Sequence, residues 1–367
     1  MEPNDRDTTS VSVRDRLWKA WLPGVAAVGA LAALVAGSLR VRPTPKAAPP
    51  RAQPAGTPGP AERAAAPGTG ARAAAPAQPV RGLARTYSQS AVLGGAGSPD
   101  RFLRSLTGIA VGADDHIYLL GDDEIRVCDP GGNRLRSWQA TAHAGCLAVG
   151  ADGRVYVGSP DRIDVYDAGG THVTGFTAGE KDKPADVTAL AVLGTDILVA
   201  DASARIIRRY GPDGRPRGLI GNQNKTGGFI LPNRSLDVGV DARGVVYATD
   251  TGRHQVTAWA LDGSPLGKFG KFGMSAPEDF VGCCNPVNVA LTPDGMVVTG
   301  EKMVARVKVY DPDGTLLAVI GPEHFDPSTT HIHLAVDSRG RILAADPVRR
   351  EVKIFSLNQT LQERERP

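Results

Sequence analysis

Aromatic residues make up only 5% of this sequence, and cysteine is scarcer still. Four cysteines in 367 residues cannot act as a disulfide scaffold, so a fold stapled by bridges is excluded. Catalytic signatures are missing as well. There is no Gly-Xaa-Ser-Xaa-Gly elbow, no His-Glu-Xaa-Xaa-His, and no Walker or dinucleotide glycine loop. The acidic residues fall mostly in turns, which gives paired-carboxylate catalysis no footing. A dense cluster of cations is also lacking. Residues 1–100 hold 12 Lys/Arg against 6 Asp/Glu, and the rest of the chain holds 30 against 33. The basic excess therefore lies near the N-terminus, and the remainder lacks the clustered charge that a phosphate backbone demands. Nucleic acid is not an expected partner.

Only one long apolar run exists, Ala20 to Leu39, and it carries no charge. About 20 apolar residues suffice to cross the hydrocarbon layer. Trp18 and Trp21 sit at one end, where amphipathic rings favour the interface. The run is expected to be a single transmembrane helix at 20–39, following a short polar tail at 1–19. A cleaved signal peptide is the competing reading, with small residues at Val35-Ala36-Gly37-Ser38. Arg and Lys flank the run on both sides, so the positive-inside rule ties. Because long domains translocate largely regardless of flanking charge, the part that follows is expected outside the cytoplasm. Residues 40–82 are Ala, Pro, Gly and Arg with little else. Such a segment buries too little to offset the entropy of ordering and is expected to be a disordered tether. Extended, it could reach on the order of 100 Å.

Glycine is abundant, with 44 residues, and it recurs in a pattern. An apolar strand, a polar turn, a second strand and a third strand ending in a Gly turn appear six times. The copies begin at Gly108, Cys146, Ala189, Asp237, Asn288 and His333. The first two read Gly108-Ile-Ala-Val-Gly-Ala-Asp-Asp-His-Ile-Tyr118 and Cys146-Leu-Ala-Val-Gly-Ala-Asp-Gly-Arg-Val-Tyr156. Asp-Gly and Arg-Gly pairs fall where a tight hairpin needs positive φ. Arg306 to Tyr310 alternates with period two, the mark of a half-buried strand. A spacing of roughly 40–50 residues suits a four-stranded propeller blade. The third copy lacks the Asp-Gly turn and is the least regular. The sixth copy has no fourth strand after Phe355, yet Ala91-Val92-Leu93-Gly94 matches Ala318-Val319-Ile320-Gly321, the outer strand of the fifth. The segment Thr86 to Gly94 is therefore expected to complete the last blade and close a ring. The fold class is all-β, a six-bladed β-propeller over residues 83–360, with a short tail at 361–367.

These copies resemble NHL repeats. The likeness is carried by the Ala-Val pairs, the Gly turns and the Tyr-Asp-Xaa-Xaa-Gly hairpins, and by connections such as Phe229-Ile-Leu-Pro232 and Phe280-Val-Gly-Cys-Cys-Asn-Pro286. It covers about Leu83 to Thr360. The resemblance implies a propeller, and functions that range from binding platforms to extracellular lyases.

In a propeller the innermost strands line a central channel. The first residues of the six copies should then meet near one mouth, with the loops that lead into them. Cys146, Asp237, Asn288 and His333 are the polar or metal-capable members. Cys283, Cys284, Asn285 and His331 come from the loops, with His143, Asn233 and Arg234. Thiolate, imidazole and carboxylate suit a soft or borderline cation, so Cys146, Cys283, Cys284 and His333 are candidate ligands and a transition-metal ion a candidate cofactor. NHL enzymes that cleave amidated-peptide precursors carry histidine ligands along the channel, although here the histidines do not recur from blade to blade. The alternative is that Asp237 and Asn288 cap strand ends. The adjacent pair Cys283-Cys284 could form a strained, easily reduced vicinal disulfide, and a Cys128–Cys146 bridge is a further option. His116 and His172 are expected on solvated turns. Glu301 and Lys302 could reach the rim, although pairing along the strand surface is their default. The expected function is a membrane-tethered module that binds a protein or small ligand at the rim. The alternative is an extracytoplasmic metal-dependent lyase or hydrolase, or a thiol-redox protein using Cys283 and Cys284.

Overall fold

The computed structural model describes residues 83–222 and 227–358. Six four-stranded antiparallel sheets account for nearly all regular structure. Blade 1 runs inner to outer as Gly108–Val111, Ile117–Gly121, Glu124–Cys128 and Arg134–Gln139. The inner strands of blades 2 to 6 are Cys146–Val149, Val187–Leu193, Val238–Val240, Asn288–Leu291 and His333–Val336. Blade 3 is the irregular one, as the sequence suggests. Its inner strand is seven residues long, and a two-stranded ribbon, Gly179–Glu180 with Lys183–Pro184, precedes it.

The ring closes through the N-terminal strand. Tyr87–Leu93 pairs antiparallel with Glu351–Leu357, placing Ala91 opposite Ile354 and Leu93 opposite Val352. The sixth sheet thus joins the two ends of the described chain. The core shows the same closure. Each of its apolar clusters lies between two adjacent blades. The cluster between blades 6 and 1 joins Ile109, Ile117 and Leu119 to Leu343, Val352 and Ile354, with Ala91 and Leu93 packed against it. Full burial of each such Ile or Leu is worth roughly 1.5–3 kcal/mol, so every seam is held by several side chains.

Turn chemistry sets the strand ends. Asp167 accepts hydrogen bonds from the backbone N–H of Gly169 and Thr171, and Asp311 does the same for Asp313 and Thr315. Gly132, at φ +94°, lies beside Leu93 of the closing strand in the left-handed region that favours glycine, so this turn demands glycine conformationally.

Two expectations are corrected here. Cys128 and Cys146 are free thiols, not a bridge. Cys128 packs between blades 6 and 1, whereas Cys146 packs between blades 2 and 3. His172 is exposed to solvent, as expected, but it stands on a strand and not in a turn. It opens the outer strand of blade 2, bonds Asp164 at 2.9 Å and stacks edge-on against Tyr166. Among the described residues no helix is long and apolar enough to cross a membrane. The expected tail at 1–19, transmembrane helix at 20–39, linker at 40–82 and C-terminal tail at 361–367 lie outside the described residues.

Candidate functional site

The six positions that the repeats put in register line a single cavity of about 490 Å³. Gly108, Cys146, Ala189, Asp237, Asn288 and His333 all contribute to its wall. They stand at or beside the start of each inner strand, where the chain enters the channel from the connecting loops. Of the loop residues, Asn233, Arg234 and His331 join them. His143, Cys283, Cys284 and Asn285 do not.

Asp237 is the centre of the polar network. Its Oδ2 accepts from Asn288 Nδ2 at 3.0 Å and from the Val289 N–H at 3.0 Å, and its Oδ1 accepts from the Val238 N–H at 2.8 Å. Asn288 Oδ1 accepts in turn from the Ile332 N–H at 3.2 Å. Blades 4, 5 and 6 are thereby laced together at the mouth. Burial raises the Asp237 carboxyl to about 6, and the three donors only partly offset it. At neutral pH it is a carboxylate, yet it takes a proton within reach of physiological acidity.

The imidazoles are neutral. His333 is pushed down to about 3 by burial and by the neighbouring His331. His331 is lowered by burial and by Lys302. The two rings stack nearly parallel, with centroids 6.0 Å apart. The Cys146 thiol is pushed up to about 12 by burial and by Asp237, so it is protonated and weakly nucleophilic. Arg234 is already paired, with Nη2 2.5 Å from Asp186 Oδ2.

The expected metal set of Cys146, Cys283, Cys284 and His333 is not assembled. Among the described residues no three His, Cys, Asp or Glu side chains stand close enough to share an ion. Cys283, Cys284 and Asn285 belong to a clamped loop instead. Asn285 Nδ2 donates to Val281 O at 2.6 Å and Lys302 O at 3.0 Å, while the Lys302 N–H donates to Asn285 Oδ1. This buried amide is structural. Glu301 does not reach the rim either. It is fully buried, 2.9 Å from Arg306 and 2.8 Å from Lys308.

Sequence reasoning missed Thr188, Ser235 and Thr330, which also line the cavity. Thr188 Oγ1 donates to Leu236 O at 2.6 Å, tying blade 3 to blade 4. The signal was available, because Thr188 immediately precedes Ala189 in the repeat register. One further residue of each copy, read upstream, would have found it.

No family model matches the chain. Among solved structures it is similar to a gluconolactonase from Xanthomonas campestris, at 17% identity and a TM-score of 0.52, over 75% of this chain and all of that one. A chain of the mitotic checkpoint complex matches at 13% identity and 0.52, over 83% of this chain and 99% of its own. The WD40 propeller domain of Doa1 matches at 18% and 0.50, over 74% and 97%. At these identities the likeness is one of fold, and the fold is the β-propeller.

Proposed function

We propose that this protein is a binding module that takes a small polar ligand at the channel mouth, on an NHL-type propeller. One observation carries the reading: six separated positions of the sequence line a single cavity with a carboxylate, an amide and two neutral imidazoles on its wall. Its volume falls in the range of small-molecule sites. A lone carboxylate beside neutral acceptors favours a ligand rich in N–H or O–H donors. The protonated Cys146 argues against thiol chemistry there.

Thermal-shift screening with polyols, sugar lactones, amino acids and polyamines tests it. At least one class should raise Tm, and Asp237→Asn and His333→Gln should each remove the shift. A panel without a hit, or a hit indifferent to both changes, contradicts the proposal.

A second reading is hydrolysis at the same mouth, with Asp237 as general base. The carboxyl raised to about 6 favours it, and so does the likeness to a protein described as a gluconolactonase. Turnover of a lactone that Asp237→Asn abolishes without loss of lactone binding would select it.

The chain is further proposed to be tethered by residues 20–39 with the propeller outside the cytoplasm. The uncharged apolar run of transmembrane length supports this. Protease added to intact cells or spheroplasts should cut the linker and release the propeller. Protection until the cytoplasm is opened contradicts it.

A further inference from the structure

Two thiols outside the channel are the least explained chemistry in the described residues. Cys283 and Cys284 lie on the loop that leads from blade 4 into blade 5, with Sγ atoms 2.6 Å apart. Cys283 is exposed and Cys284 is buried. Cys284 adopts φ +66°, a left-handed conformation uncommon for a residue with a side chain. The loop is anchored on both sides of the pair. Upstream, the Val281 N–H donates to Glu301 Oε2 at 3.2 Å and His254 Nε2 donates to Gly282 O at 2.9 Å. Downstream, Asn285 fastens to Val281 and Lys302. The loop that carries the two sulfurs is thus fixed by bonds that neither cysteine side chain makes. No third His, Cys, Asp or Glu joins them to complete a three-donor ion site among the described residues.

We propose that Cys283 and Cys284 are a redox pair that closes to a vicinal disulfide by exchange with a disulfide-bearing oxidant. The Cys283 thiol loses its proton, and the thiolate attacks one sulfur of the oxidant. This forms a mixed disulfide and expels the oxidant's other sulfur as a thiolate, which takes up a proton. Cys284 then loses its proton and attacks the Cys283 sulfur. The Cys283–Cys284 bond forms, and the second oxidant sulfur leaves as a thiol. Two electrons and two protons pass from the pair to the oxidant, which ends as two thiols. Exposure makes Cys283 the first nucleophile. Cys284, whose thiol is raised by burial and by Cys283, is the resolving partner. The loop then runs directly into Asn288 at the channel mouth. The disulfide itself does not depend on what the cavity binds.

Thiol counting on the full chain tests this. The protein is incubated with oxidised glutathione, then quenched in denaturant with N-ethylmaleimide and analysed by peptide mass spectrometry. Two adducts are expected, on Cys128 and Cys146, with a peptide containing Cys283 and Cys284 lighter by two hydrogens. Reduced protein should give four adducts, and oxidised Cys283→Ser should show no loss of two hydrogens. Four adducts after oxidation would overturn the proposal. So would a glutathione adduct that stays on Cys283, or a bond from either residue to another cysteine or chain.

Discussion

Asp237 and His333 face the same cavity and titrate in opposite senses. The Asp237 carboxyl folds with a pKa of about 6, above its ordinary 3.8. Its stabilising contribution is complete below 3.8 and is lost as pH climbs through 6, about 3 kcal/mol in all. His333 folds at about 3, below its ordinary 6.5. Its contribution is complete above 6.5 and is lost as pH falls through 3. Between pH 4 and 6 the two slopes therefore oppose each other. Urea unfolding across that window should show Asp237→Asn steepening the rise of stability with pH and His333→Gln flattening it. Profiles parallel to the wild type would refute both assignments. These residues were legible in the sequence because the repeat fixes their register. Their bonds were not, since Asn288 meets Asp237 only when neighbouring blades pack. Cys146 was legible as a channel residue, and burial keeps its thiol protonated. In folded protein at pH 8 it should resist iodoacetamide over hours; rapid alkylation would contradict the burial described.

At the scale of elements, the second strands share one device. Several end in a carboxylate that accepts hydrogen bonds from the loop arriving from the previous blade. Asp201 accepts from the Asp186 N–H, Asp250 from Ile230, Glu301 from Val281 and Asp346 from Asp326. Each carboxylate also pairs with an Arg of its own blade: Arg208, Arg253, Arg306 and Arg349. The strands and hairpins could be read from alternation and from Asp-Gly pairs. This pinning could not, because it joins a strand end to a loop some 15–20 residues upstream. The same gap explains why the Cys283–Asn285 loop was expected at the rim. Its position is set by Asn285 gripping Lys302, a contact that no local pattern announces. Glu301 is the most consequential of these groups, since Lys308 beside it is fully buried and lowered to about 8 by that burial. Glu301→Gln should cost about 3–5 kcal/mol in chemical denaturation, as breaking a buried ion cluster does. A loss under 1 kcal/mol would show that the cluster contributes little.

The whole molecule depends on ring closure. Blade 6 takes its outer strand from Tyr87–Leu93, so the seam between blades 6 and 1 holds only when the two ends of the described chain pair. That closure was visible in the sequence, through a missing strand at one end and a surplus one at the other. Ser90 Oγ and Ser356 Oγ lie 3.0 Å apart across it. The doubly substituted Ser90→Cys, Ser356→Cys chain provides the most direct test. Under mild oxidation of folded monomer it should form an intramolecular disulfide, run faster on a non-reducing gel and melt several degrees higher than its reduced form. Cross-links only between chains, or none until the protein is unfolded, would mean the ring does not close here and the shared cavity does not exist.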